Sequence, residues 1–310
     1  MRGQLRKLFN AGVGALPPAV ARGFLKAFFD HPNYAERAGF QVYPRVFYNP
    51  FPDPAEVDVA RLQLPRPLPG INLNVPSALR LTRELAAFAG ELESFPHDPR
   101  TGSVTWSMTY PSFDTAALYT MIRRLKPRRY IEVGCGYSTR TSTAALAKNL
   151  AEGHPCESRF IEPFPGPHLK ELQLPGELIV KKVEQVPVPL FQKLEDGDLL
   201  FIDTSHILKV QNDVEYELLR ILPSLQRGVY VHVHDIFTPY DYPGEWLVGD
   251  HPNRGANNEQ YALECLISGG DTWEVILPVH LLWREHRSVL SSLWPGAEDR
   301  PAAIYLRKTK

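Results

Sequence analysis

Cysteine is scarce, net charge is almost nil and no long apolar run is present; each shortage removes a class of protein. Only Cys135, Cys156 and Cys265 occur in 310 residues, odd in number and far apart. That argues against a disulfide framework or a cysteine-rich metal site and fits a reducing cytoplasm. No apolar stretch nears the ~20 residues that cross a bilayer, so no membrane span is expected. The basic start, Met1 to Phe9, is followed by Pro17, Pro18 and Arg22 and makes a poor secretory signal. Arg6 and Lys7 beside Leu5, Leu8 and Phe9 read as a short amphipathic helix, set either on a membrane surface or on the protein itself. A net charge of −1 offers no field that would gather nucleic acid.

What is present is ordinary globular composition, 44% hydrophobic and 22% charged, with proline abundant at 29 residues. Prolines recur every few residues between Pro50 and Pro76, which favours extended, irregular backbone. Leu81, Leu85, Phe88 and Leu92 then fall at helical spacing, and 113–125 shows the same period. Residues 1–127 are therefore expected to form a dependent, helical and irregular N-terminal cap, and 128–310 the core domain. From Arg129 the pattern alternates. Strands are predicted at 129–133, 158–162, 178–182, 198–202 and 229–233, with helices near 139–151, 166–172, 210–222 and 256–268. Alternation of this kind specifies an α/β, doubly wound parallel sheet. Late strands near 272–277 and 302–307, with no long helix between them, suit an antiparallel hairpin that closes it.

The richest local signal is Arg129-Tyr-Ile-Glu132-Val-Gly134-Cys-Gly136-Tyr-Ser138-Thr139. A buried strand runs into a tight glycine turn and then into a helix start rich in hydroxyls. Glycines let backbone approach a ligand closely, and a helix N-terminus presents unpaired N–H groups. About thirty residues on, Arg159-Phe-Ile-Glu162 ends the next strand in an acid. An ionised Glu offers only acceptors, which suits a ribose diol.

This turn resembles the first motif of the class I methyltransferases that depend on S-adenosylmethionine (SAM), an E/D-x-G-x-G sequence closing the first strand. The resemblance implies a Rossmann-like seven-stranded sheet of order 3-2-1-4-5-7-6 with the last strand antiparallel. It also implies SAM as cofactor, held by Glu132, Gly134, Gly136, Ser138, Glu162 and Asp203, with Glu162 on the ribose. Ser138 and Thr139 read equally as helix caps and as donors to the methionine carboxylate. Pro111-Ser-Phe-Asp114 resembles the segment that folds over SAM, although Asp114 is just as well a helix cap. Asp235-Ile-Phe-Thr-Pro239-Tyr-Asp-Tyr-Pro243-Gly-Glu245-Trp246, Asn258-Glu-Gln-Tyr261 and the early Gly39-to-Asp53 segment resemble the bacterial methyltransferase family 24 branch.

Two further strands end in ionisable residues: Leu199-Leu-Phe-Ile-Asp203-Thr-Ser-His206 and Val229-Tyr-Val-His232-Val-His234-Asp235. If the fourth and fifth strands are neighbours, Asp203, His206, His234 and Asp235 meet at one rim. Three readings stay open. One is a general base on a small-molecule hydroxyl, with His206, His234 and Asp203 catalytic. Another is a divalent metal (Mg, Mn or Fe) on Asp203, His234 and Asp235. The third is a hydrogen-bonded network that merely holds the rim. Related sugar O-methyltransferases bind Mg²⁺ through acids at these strand ends, and here His234 replaces one of them. His232, inside its strand, reads as a core histidine. Tyr43, Phe47, Tyr48, Tyr240, Tyr242 and Trp246 read either as pocket walls or as loop packing. The leading function is SAM-dependent methylation of a small molecule, at an oxygen of a sugar or other hydroxylated natural product. The alternatives are a metal-dependent oxygenase, since two histidines and a carboxylate match a facial triad in type, and a non-catalytic SAM-binding partner.

Overall fold

A computed structural model describes residues 17–31, 36–37, 49, 51–97, 110–248, 257–294 and 297–310. The expectations placed on Met1 to Phe9 and on Tyr43, Phe47 and Tyr48 lie outside these residues. The chain divides into two compact units, residues 1–57 and 58–310. In the first, helix α1 (Pro18–Asp30) opens on proline, whose missing N–H is no loss in a first turn. Among the described residues no helix is long and apolar enough to cross a membrane.

The second unit is built on a seven-stranded sheet of order β3-β2-β1-β4-β5-β7-β6. Its strands are β1 (Arg129–Val133), β2 (Glu157–Ile161), β3 (Glu177–Ile179), β4 (Leu199–Ile202), β5 (Tyr230–His234), β6 (Trp273–Pro278) and β7 (Ala303–Lys308). The first five pair in parallel, and β7 runs antiparallel to both its neighbours. β3 is shorter than its predicted span; it ends where the Lys181 N–H turns back onto the Ile179 carbonyl.

Successive side chains on a strand face opposite ways, and both faces of this sheet are covered. Tyr130, Phe160, Phe201 and Tyr305 face a layer that includes α2 (Val75–Leu85), α3 (Ser112–Leu125) and α4 (Ser138–Ala151). Ile131, Val133, Ile202 and Val231 face the other layer, formed by the 213–224 helical segment and α8 (Glu259–Ile267). The helix predicted over 80–92 starts earlier, at Val75, and tightens into a 3₁₀ run from Ala86 to Ser94. Gly90 and Ser94 are poor α-helix formers, which accounts for the change. The 213–224 segment begins as α6 (Asp213–Tyr216), widens into a π-helical turn (Glu217–Ile221) and ends as Leu222–Ser224. Between β6 and β7 the chain forms two short helices, α9 (Val279–Glu285) and α10 (Arg287–Leu290), rather than a bare connection.

Candidate functional site

Strand register builds the site. Ile161, Val133, Ile202 and Val233 lie side by side across β2, β1, β4 and β5. One residue further along each strand stand Glu162, Gly134, Asp203 and His234. Four candidates from segments scattered over a hundred residues thus form one row at the carboxyl edge of the sheet. That edge is where open parallel sheets bind ligands.

Gly134 occupies the left-handed region at φ +82°, and a Cβ there would sit 1.7 Å from the Asp203 carbonyl oxygen. Only glycine lets β1 and the end of β4 approach so closely. Gly136 differs: a Cβ added to it meets nothing within 4 Å, so the chain itself makes no demand for glycine there.

Glu132 points to the α4 face, not along the row. Its buried carboxylate accepts from the Tyr130 hydroxyl at 2.7 Å, Ser138 at 3.0 Å, Thr139 at 2.6 Å and Ser142 at 2.7 Å. Burial raises its pKa above the usual carboxylate value, while these four donors oppose that rise. Glu132 therefore seats the start of α4, and the Ser138 hydroxyl proton is already committed to it. Any anion at this helix start would meet backbone N–H groups, not that hydroxyl.

Glu162 accepts the Cys135 N–H at 3.1 Å on one oxygen and the Phe164 N–H at 2.7 Å on the other. Each oxygen keeps a further lone pair. It faces a cavity of about 350 Å³ bordered by Gly134, Glu162, Phe164, Asp203, Thr204 and Asn212.

Asp203 belongs both to that cavity and to a cluster of charges behind it. Its Oδ1 lies 3.2 Å from His206 Nε2 and 3.5 Å from His234 Nδ1. His206 Nε2 is also 3.2 Å from Asp235, and its Nδ1 is 2.9 Å from Glu259. His234 reaches Asp235 at 3.5 Å and, through Nε2, the fully buried Asp114 at 3.3 Å. Tyr110 packs on the His234 ring, with centroids 4.8 Å apart. His206 and Asp235 hold positive φ, +58° and +54°. Non-glycine residues adopt such angles at a cost of about 1–3 kcal/mol, and they do so most often at functional sites.

Each ring faces three carboxylates. Burial opposes the charge on His206, but Asp235, Asp203 and Glu259 carry its pKa well above the ordinary imidazole value. Burial is likewise overcome at His234, by Asp203 and Asp114 first and then Asp235. Burial would raise Asp203, yet the two rings hold its carboxyl well below the usual range. The surrounding carboxylates thus favour the protonated form of both rings.

The same charges bear on a metal. Asp203 and Asp235 each place an oxygen 3.2 Å from one nitrogen, so those oxygens lie no more than twice that, 6.4 Å, apart. Among the described residues, no three His, Cys, Asp or Glu side chains stand as an ion-binding group.

His232 lies in the core as its position suggested, but among the described residues neither ring nitrogen has the hydrogen-bond partner expected of a satisfied core histidine. It is fully buried, stacked on Phe201 at 4.4 Å, and burial holds it well below the usual pKa. Tyr242 and Trp246 pack on Phe237, and Tyr240 on His280, so these aromatics form loop packing. Sequence reasoning undervalued two acids and missed a third. Asp114 was open between a helix cap and the segment over SAM, and Glu259 stood only within the family 24 segment, yet both are buried beside the rings. Glu217 is fully buried and accepts from the Thr204 hydroxyl at 3.1 Å. Its signal was an acid inside the apolar stripe of Val214, Leu218 and Ile221.

Residues 131–236 match the family model described as a methyltransferase domain, methyltransferase family 24. An uncharacterised protein of Archaeoglobus fulgidus is 25% identical over 166 residues, which cover 50% of this chain and 74% of that protein. Among solved structures, similarity extends to the O-methyltransferase TomG from Streptomyces achromogenes, involved in tomaymycin synthesis and solved with SAM. Identity is 16% and the TM-score 0.40, covering 74% of this chain and 90% of that one. For CalS11, a TDP-rhamnose 3'-O-methyltransferase of calicheamicin biosynthesis, the values are 17%, 0.39, 78% and 99%.

Proposed function

We propose that this chain, a class I methyltransferase whose residues 131–236 belong to the family 24 branch, moves the methyl group of SAM onto an oxygen of a small hydroxylated molecule, a sugar or similar natural product. The observation that carries this reading is the double membership of Asp203. It borders the cavity beside Gly134 and Glu162 and contacts both rings. A cofactor site and proton-handling groups therefore meet at one residue.

In this reading the remaining lone pairs of Glu162 accept the ribose hydroxyls. The open space at Gly136 and the first-turn N–H groups of α4 receive the methionine end of SAM. Transfer is a displacement at carbon: the acceptor oxygen forms its bond to the methyl as the carbon–sulfur bond breaks. S-adenosylhomocysteine leaves, and the hydroxyl proton must go to a base. The protein's share is alignment and that proton. Asp203 and Asp235 orient the rings, and the fraction of His206 or His234 that has lost its proton takes the one from the hydroxyl. A ring held above the ordinary imidazole pKa is the stronger base once free. Turnover is therefore expected to keep rising with pH beyond the range where an ordinary histidine has finished titrating.

The test uses methyl-labelled SAM with a panel of sugars and hydroxylated aromatics, reading labelled product by mass spectrometry. Label in an ether, with loss of roughly 10²-fold or more in a His206→Ala, His234→Ala double variant, supports the proposal. Label only on nitrogen or carbon, or an undiminished rate in the double variant, contradicts it.

A further inference from the structure

The loop that follows β4 is held at three successive side chains. The Thr204 hydroxyl donates to Glu217. Ser205 donates to Asp213 through both its backbone N–H at 3.0 Å and its hydroxyl at 2.7 Å. His206 Nδ1 meets Glu259 Oε2 at 2.9 Å, and the Asn258 and Glu259 N–H groups return to the His206 carbonyl at 3.0 and 3.3 Å. The start of α8 thus grips one residue by backbone and by side chain, and that residue holds a positive φ.

Glu259 is an unusual acid for this duty. A carboxylate in a first helical turn ordinarily stays in water and draws on the helix dipole. Here it is 1% exposed, and among the described residues its second oxygen, Oε1, has no hydrogen-bond partner. A buried carboxylate with an orphaned oxygen is costly. Helix capping alone would not need it, since a first-turn acid at the surface gives the same dipole benefit without that cost. What it does supply is direction: with Nδ1 engaged by Glu259, the far nitrogen of the ring, Nε2, is turned to Asp203 and Asp235.

We propose that Glu259 is a positioning residue of the reaction, fixing the His206 ring through Nδ1 so that Nε2 faces Asp203, which borders the cavity, and Asp235. The assignment rests on the methyl-transfer reading for its purpose but not for its test. Histidine-labelled full-length protein is examined by long-range ¹H–¹⁵N spectroscopy, with a His206→Gln variant assigning the ring. The wild type is expected to show an Nδ1 proton held by a carboxylate, shifted strongly downfield. In Glu259→Gln that proton moves upfield or is lost to exchange. Ring signals unchanged in Glu259→Gln overturn the proposal. Should that variant fail to fold, Glu259→Asp and the wild-type spectrum decide: a wild-type Nδ1 without a bound proton overturns it equally. Absence of SAM binding by the wild type strikes the methyltransferase reading alone and leaves the ring measurement to judge Glu259.

Discussion

Two glycines two residues apart serve different ends, and substitution separates them. Gly134→Ala combines a left-handed backbone, about 1–2 kcal/mol, with a Cβ driven against the Asp203 carbonyl. Its melting temperature is expected to fall by many degrees, or folding to fail. Gly136→Ala meets open space and should melt near the wild type while binding SAM more weakly; normal SAM affinity there would remove Gly136 from the site. The charged cluster sets a pH dependence whose sign can be worked out. His206 and His234 have folded pKa values above the unfolded one. Their stabilisation is complete below about pH 6.5 and is lost as pH rises through the folded values, at up to about 1.4 kcal/mol per pH unit per group. Glu217, pushed well above the carboxyl range by burial first and by Glu259 next, also favours its protonated form in the folded protein and adds the same sign. Stability measured by denaturant should therefore decline from neutral to alkaline pH. Glu217→Gln should flatten that decline, and an identical slope would show that Glu217 does not hold its proton.

The start of α4 depends on one acid. Tyr130, Ser138, Thr139 and Ser142 all donate to Glu132, so Glu132→Ala strands several buried hydroxyls at once. A loss of about 3 kcal/mol or more is expected, together with weaker SAM binding as the helix start shifts. A variant as stable as the wild type would mean the hydroxyls find other partners. Much at this scale was legible beforehand. The apolar runs that became β1, β4 and β5 are buried and end in glycine or ionisable residues, so period and punctuation gave their places, while the strand order that sets Glu162, Gly134, Asp203 and His234 in one row came from the family resemblance. Less legible were features decided by tertiary contact. A carboxylate at a helix start looks the same whether it caps in water or lies buried against a ring, as Glu259 and Asp114 do. The π-helical turn at Glu217 and the helices between β6 and β7 left only weak periodic traces, too short to outweigh other readings.

At the scale of the molecule, a sheet covered on both faces leaves only its carboxyl edge for function, and the charged cluster gathers there. Residues 58–127, read from sequence as part of the cap, supply α2 and α3 to the packed unit, and α3 delivers Asp114 to His234. The protonation of the rings was not legible, because it follows from three carboxylates converging on each imidazole from separate elements. The most direct test of the central claim, that SAM occupies the cavity at Gly134, Glu162 and Asp203, is calorimetric titration of SAM into wild-type protein and into Glu162→Ala. Saturable binding by the wild type, weakened by about 1.5–3 kcal/mol in the variant, is predicted from the loss of hydrogen bonds to a charged acceptor. No SAM binding by the wild type, or equal affinity in a folded Glu162→Ala protein, would contradict it.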